Sequence, residues 1–317
     1  MDKRVYGVIG IVSIMANWNA DFSGFPKTIS DGTTFGSDKA LKYPMKKMWE
    51  SQGQKILFTK SMRFSEGKKG DVTLVPRSLK ERYEQLFQVE DLKNCKDSRE
   101  VLTNLFQAVD VKNFGATFAE AGNNISITGA VQIGQGFNKY EGTSAEEQQI
   151  LSPFRDASGE GKADSEEAKN STLGTKIVSN EAHYFYPFVI NPSAYMGFVE
   201  LGVTEGYSQE DYQNFKKAAL TSATSFATNA KVGCDNEFAL FVETSSDFYL
   251  PNLAEMIEFS KNEGKNVITI KCGSLLNKLS ADIKSIEIYY NPHFTRLEND
   301  INGAGIFNIF TGEALQE

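Results

Sequence analysis

Only three cysteines occur, Cys95, Cys234 and Cys272, far apart and without a C-x-x-C pair. Such a set builds neither a disulfide framework nor a thiolate metal site, and it predicts buried thiols in a reducing compartment, the cytoplasm. Histidine is scarcer: His183 and His293 are the only two, which argues against a zinc centre and a His-based triad. No run approaches the roughly 18 apolar residues of a membrane span. Net positive charge is missing as well, with 33 Lys and Arg against 41 Asp and Glu. That argues against a generic polyanion binder, although a basic groove can coexist with acidic outer faces. Gly134-Gln-Gly136 lacks the third glycine of a dinucleotide fingerprint, and neither a Walker loop nor H-E-x-x-H occurs. The pattern therefore predicts no enzyme, no cofactor and no metal.

What is present is enough apolar residue, 40% of 317 positions, for one elaborated domain or two small ones. Alternation through Val5, Gly7, Ile9 and Ile11 predicts a first strand over Val5–Met15 rather than a signal peptide. A loop over Ala16–Gly36 follows, long enough to suggest function or mobility. Ser37-Asp38-Lys39 resembles a helix start; Pro44 predicts a turn over Lys39–Tyr43 and then a helix through Trp49, with Asp38 as a cap. Lys39, Lys42 and Lys46 share one side at helical spacing, either a solvated face or a phosphate-facing stripe. Ile56–Phe64 reads as a second strand. Ser78-x-x-Glu81 is a capping box, and Asp97-x-x-Glu100 precedes another helical repeat from Val101 to Val109.

Two β-branched runs, Phe114–Phe118 and Ile125–Ile133, flank Asn123-Asn124 and predict a hairpin in mid-sheet. Glycines 115, 129, 134 and 136 inside it imply close approach of another backbone or a ligand, or else a bulged, bent strand. Residues Lys139–Glu181 turn polar and Gly/Ser-rich, an excursion between two strand-like runs, the second being His183–Ile190. Ser208-x-x-Asp211 caps a long helix, Phe238–Val242 is a short strand, and Pro251 opens a helix that Gly264 stops; Val267–Ile270 and Ile286–Tyr290 follow as the last strands. The order predicts an α+β fold, compatible with a split β-α-β core bearing long insertions.

Three blocks together resemble a known family: the first strand running into Asn17-Trp18-Asn19-Ala20-Asp21, Phe114-Gly115 with Thr128-Gly129-x-Val131-Gln132, and Gly174-Thr175-Lys176 leading into His183–Pro192. The chain resembles the backbone subunit of type I CRISPR surveillance complexes (Cascade), family seven of the CRISPR-associated proteins within the RAMP superfamily, and is most like subtype I-B. The resemblance implies a single RAMP-type domain over 1–317 with an RRM-like (ferredoxin-like) palm. Residues 16–110 would supply a fingers-like loop and helical insertion, and 139–182 a projecting thumb hairpin. Copies would stack into a helical filament along the guide crRNA, hold its backbone without reading sequence, and present it for pairing with a target DNA strand. Further copies of itself, a family-five cap subunit, a large subunit and a repeat-processing endoribonuclease are the implied partners, with no membrane.

Carried onto this sequence, the RNA contacts would come from Asn17, Trp18, Asn19, Lys27, Lys39, Lys42, Lys46, Thr128, Gln132, Lys176, His183, Asn229 and Lys231. Lysines would meet phosphates, and amides and hydroxyls the phosphates or 2′-hydroxyls. Two departures from the family stand out: Ala130 replaces a frequent proline, and the thumb is acidic at Glu146, Glu147, Glu160, Asp164, Glu166 and Glu167. The alternative activity is metal-dependent cleavage of target RNA, as in type III backbone relatives, using Asp21, Asp31 or Asp38 of the loop after the first strand.

Overall fold

The first strand, Lys3–Ala16, is apolar on both faces: Val5, Ile9 and Ile11 join one core cluster, Tyr6 and Val8 another. A strand with no polar face needs a covering layer on each side. The computed structural model, which describes residues 1–67, 70–95, 97–155 and 171–316, supplies both. The first strand lies inside a nine-stranded sheet, antiparallel to Ser171–Ile190 on one side and to Cys234–Ser245 on the other. Ile283–Tyr290 and then Gly305–Asn308 extend the sheet past Cys234–Ser245. The opposite edge is made of Val131–Ile133, Gly136–Asn138 and Phe35–Gly36.

Helices Asp38–Ser51 and Gln209–Ser225 pack together over one face, burying Leu41, Met45, Trp49, Tyr212 and Phe215 with Val5 and Ile9. A three-stranded sheet, Ile257–Asn262, Lys265–Ile270 and Thr295–Asn299, covers the other face against Tyr6, Val8, Phe185 and Leu240. The architecture is a mixed α/β fold of several sheets.

Local signals set the helix starts. Ser208 and Asp211 form a reciprocal capping box, as do Ser78 and Glu81, and Asp97 caps Ser98–Gln107. Replacing Ser208 by alanine is expected to lower stability by about 1 kcal/mol, read as a shift in the urea midpoint at unchanged slope; an unmoved midpoint would show that tertiary packing alone holds this end.

Several expectations are corrected. Asp38–Ser51 is one helix with Pro44 inside it, and its cap is Ser37, which accepts from Ala40 N; Asp38 is its first residue. An interior proline costs roughly 3 kcal/mol, but Leu41, Met45 and Trp49 are fully buried at roughly 1.5–3 kcal/mol each, so the stripe wins. Of the expected second strand only residues 62–64 are β, as the start of Met62–Glu66, paired with Val72–Pro76. Leu57 and Phe58 instead donate their amides to the buried Asp110 carboxylate at 2.9 and 2.8 Å. The helix expected after Pro251 is a 3₁₀ turn, Leu253–Met256, followed by strand Ile257–Asn262. Glu263 at φ 51° and Gly264 at φ 81° make the tight turn into Lys265–Ile270, and the period-two burial of Ile257 and Phe259 decides the matter.

The hairpin at 113–138 is also different from expectation. Gly115–Phe118 and Ile125–Thr128 form their own two-stranded sheet, and its turn uses left-handed Ala121 and Gly122 rather than Asn123-Asn124. The chain then breaks at Gly129-Ala130 before Val131–Ile133 joins the main sheet. Gly115 and Gly129 are the crossing point: a Cβ on Gly129 would lie 2.2 Å from Phe114 C and 2.4 Å from Gly115 N. The closely approaching group is this chain's own backbone.

Among the described residues, the polar excursion is largely β. Ala145–Arg155 pairs with the outer part of Ser171–Ile190, so the second arm of the resulting ribbon is the same strand that crosses the central sheet. Glu146 and Glu147 lie on the first arm, whereas Glu160, Asp164, Glu166 and Glu167 fall outside the described residues.

Candidate nucleic-acid interface

The chain leaves the first strand through Met15, held at φ 47°, and enters a loop that internal bonds order throughout. Lys27 N donates to Asn19 O and Phe35 N to Lys27 O, with bridges Ala20–Pro26 and Thr28–Thr34. Three distant segments meet at Asn17. Its side-chain amide donates to Gly24 O at 2.8 Å and Ile177 O at 3.2 Å, and its backbone N–H to Ala230 O at 2.9 Å. The loop after helix Gln209–Ser225 returns the contact, because Lys231 Nζ donates to Asn17 O at 2.7 Å and to Trp18 O. Burial lowers the Lys231 pKa.

These bonds reassign part of the expected contact set. Asn17 is 6% exposed and Trp18 1%, and the Trp18 indole donates to Tyr186 Oη in the core. Asn17, Trp18 and Lys231 therefore build the loop from within; their side-chain N–H donors are directed at carbonyls and a hydroxyl of this chain. Asn19 Oδ1 accepts from Ser37 N at 2.7 Å, fastening the loop to the start of helix Asp38–Ser51.

The lysine stripe divides. Lys39 is exposed on the first turn. Lys42 is paired with Asp38 at 2.8 Å and lies 5.2 Å from the Phe114 ring. Lys46 donates to Phe58 O at 2.7 Å, and burial lowers its pKa while Asp110 acts in the opposite sense. Thr128 and Gln132 are exposed, with Gln132 donating to Gly129 O. Half-buried Lys176, at the root of the ribbon, lies 3.4 Å from Oδ1 of exposed Asn229. Lys27 is half-buried on the loop.

His183 is the clearest correction. It is fully buried, with Nδ1 at 2.9 and 2.8 Å from the two Glu237 oxygens and Nε2 at 3.0 Å from Glu181 Oε1. Its ring stacks on Phe259 at 3.7 Å. Burial by itself would lower its pKa, but Glu237 and Glu181 outweigh burial and hold it above the ordinary value. The residue joins the central sheet to the three-stranded one and has no face left for RNA.

Between the loop and the ribbon root lie two adjoining clefts of about 450 and 390 Å³, which share Gly32, Thr34 and Thr143. Sequence reasoning passed over these threonines and Phe22; the available signal was an aromatic inside a run of Asn, Asp, Ser and Gly. The loop carboxylates are engaged locally. Asp21 accepts from Ser23 N and Phe25 N, Asp31 from Thr33 N, which lowers its pKa, and Asp38 pairs with Lys42. Among the described residues, no group of three or more His, Cys, Asp or Glu gathers to hold a metal, and no helix is long and apolar enough to cross a membrane.

The family model described as CRISPR-associated protein Cas7 matches residues 3–273. The chain belongs to that family. The match begins with the first strand and spans the loop, the helices, the ribbon and strand Cys234–Ser245; the strands Ile283–Tyr290 and Gly305–Asn308 lie beyond it. No curated protein matches the chain. Among solved structures it is similar to a chain of a "CRISPR RNA-guided surveillance complex, pre-nicking", at 14% identity and a TM-score of 0.49, covering 94% of this chain and 96% of that one. It is similar as well to a chain of a "CRISPR RNA-guided surveillance complex", at 15% identity and a TM-score of 0.45, covering 89% and 88%.

Proposed function

We propose that this Cas7-family chain is a non-catalytic backbone subunit that binds guide crRNA in a cytoplasmic type I CRISPR surveillance complex, of the I-B branch. In that role it assembles with further copies and other Cascade subunits and presents the guide to target DNA. Family membership over residues 3–273 is the observation that carries this reading. Two features of the fold support its parts. Strand order Cys234–Ser245, Lys3–Ala16, Ser171–Ile190 and then Val131–Ile133 with Gly136–Asn138, with helices on one face, fits a ferredoxin-like palm. The ribbon of Ala145–Arg155 and Ser171–Ser179 suits a thumb, and the loop and helices of 16–110 suit fingers.

The contact set that fits is smaller than the sequence suggested: exposed Lys39, Thr128, Gln132 and Asn229, with half-buried Lys27 and Lys176. These residues offer charge and hydrogen bonds to a sugar-phosphate chain, contacts that position RNA without specifying its sequence. Asp21, Asp31 and Asp38 serve as turn and helix-start residues, which favours scaffolding over cleavage.

The test is co-expression with a repeat-spacer transcript and the neighbouring subunits, followed by size exclusion monitored for nucleic acid and protein together. A large RNA-containing assembly is expected, and Lys27→Glu with Lys39→Glu should strip its RNA. RNA-free protein at monomer size, beside intact transcript and folded partners, would refute the reading. Mg²⁺-dependent cleavage of target RNA that the three Asp→Asn changes abolish would establish the nuclease instead.

A further inference from the structure

His183 stands close to where the ribbon leaves the sheet, and several elements reach it. Glu181, on the same strand, bonds Nε2 at 3.0 Å, and Glu237, from strand Cys234–Ser245, bonds Nδ1 with both oxygens. Strand Ile257–Asn262 lays Phe259 on the ring and sends Lys261 to Glu181. The first strand offers only Val12 opposite it. Tyr140 meets the ring edge to face, and Lys139 gives its backbone N–H to His183 O while its ammonium turns to Ala254 O and Ile257 O. Among the described residues, the charged groups bonded to the ring are therefore both carboxylates.

Glu181 is also part of the ribbon's neck. Its carbonyl accepts from Thr143 Oγ1 at 2.7 Å. Asn180 beside it is bonded to Ser144 in both directions, Ser144 N donating to Asn180 Oδ1 and Asn180 N to Ser144 O. The two arms are thus joined at and next to Glu181, so whatever holds this carboxylate braces the neck.

An imidazolium has two N–H donors and a neutral imidazole has one. Only the charged ring can donate to Glu237 and Glu181 at once, and on losing its proton it keeps one of them. The surroundings decide which. The Glu237 side chain is 5% exposed and has no other partner among the described residues, so taking its bond away would leave a buried charge unpaired. Glu181 is 16% exposed and keeps Lys261 at 2.5 Å.

We propose that His183 is a proton-operated brace for the ribbon: charged, it ties the neck to the core of the sheet through Glu181; neutral, it stays on Glu237 and lets Glu181 go. The ring takes no part in the backbone pairing of Ser171–Ile190 with the first strand, so the strand stays in the sheet and only the side-chain brace at its exit is lost. The raised pKa of His183 gives the direction: the brace is set below the raised value and released above it. The argument holds whatever the ribbon carries and does not rest on the RNA-binding reading.

Having only two histidines makes the test direct. Histidine labelled at Cε1 gives the full-length chain one NMR resonance from His183 and one from exposed His293, and His293→Gln assigns them. Amide hydrogen exchange, divided by the intrinsic rate at each pH, is then followed over residues 139–149 and 174–183, with helix Gln209–Ser225 as the control. Exchange in the neck is expected to rise roughly 10- to 100-fold, the worth of a hydrogen bond to a charged group, with the midpoint of the His183 resonance and no step in the helix. Glu181→Gln, whose amide can bond either form of the ring, should abolish the step while His183 still titrates. Lys261→Met, made on the solvent side, removes the other hold on Glu181 and should enlarge it. Neck protection that does not follow the His183 resonance overturns the proposal, as does a His183 that keeps its proton until the whole chain unfolds. A step undiminished in Glu181→Gln, or unchanged in Lys261→Met, assigns the motion to another group and overturns it as well.

Discussion

Glu237→Ala is expected to lower folding stability by roughly 3–5 kcal/mol, the range for removing one partner of a buried ion pair. Glu237 lies at an irregularity in the pairing of the first strand with Cys234–Ser245, where Gly10 faces Phe238 and Ile11 faces Asn236. The skipped position places its carboxylate on His183 Nδ1. Glu181 holds the opposite nitrogen and is itself bound by Lys261 at 2.5 Å, while Phe259 and Tyr140 close the ring faces. Without Glu237, the buried His183 ring keeps Glu181 on Nε2 but has an unpartnered Nδ1 and half of its carboxylate support removed. Glu237→Gln, which keeps an acceptor and removes the charge, should be milder.

The pH dependence follows from the signs. His183 has a raised pKa in the folded chain, so its stabilisation is complete below the ordinary histidine value and is lost as pH rises through the raised one. Glu181 is lowered: burial opposes ionisation, but bonds from Lys261 and His183 prevail. Its contribution is present above the ordinary carboxylate value and is lost as pH falls. The cluster therefore stabilises most between those limits, on the acid side of the His183 transition. Urea midpoints measured across this window should show a weaker alkaline limb in Glu237→Ala, with the acid limb from Glu181 and Lys261 kept; an unchanged profile and midpoint would rule out the pair as a stabilising element.

Gly115→Ala carries the second large effect, again roughly 3–5 kcal/mol from left-handed strain and overpacking together. Gly115 lies at φ 80° and ψ −178°, a combination open essentially to glycine alone. An added Cβ would lie 2.2 Å from Ile127 O and 2.5 Å from Gly129 N, both backbone atoms that cannot swing aside. Gly197→Ala is the control, since it sits in helix Met196–Glu200 with nothing within 4 Å of its added Cβ. It should be neutral or slightly stabilising. If thermal unfolding of Gly115→Ala matched that of Gly197→Ala, the backbone crossing would not constrain the fold.

What could be read from the sequence was local. The caps at Ser78, Asp97 and Ser208 involve residues a few positions apart, and the first strand announces itself by its own β-branched apolar run. The corrected elements depended on distant partners. Pro44 is tolerated because three neighbours find a core, and the strand at Ile257 is revealed only by pairing across Glu263-Gly264. The candidate site shows the same division more sharply. A loop asparagine or lysine looks identical in sequence whether it faces a phosphate or a carbonyl. Lys231 finds the carbonyl of Asn17 across 214 positions, and His183 finds Glu237 across 54. Residue type identified the loop correctly as a place where polar chemistry concentrates, but not which way each side chain points.

The strand Ser171–Ile190 is 20 residues long, roughly 65 Å at about 3.3 Å per residue. Its inner part is paired with the first strand from Ile190 out to Glu181 without a break in register, and its outer part is one arm of the ribbon. Mechanically the ribbon is a cantilever clamped in the middle of the sheet, not a flap on a joint. A sideways load at its outer end bends the beam and is delivered to the buried His183 and the strand beside it, so the arm's resting direction is set by the same packing that holds the core together.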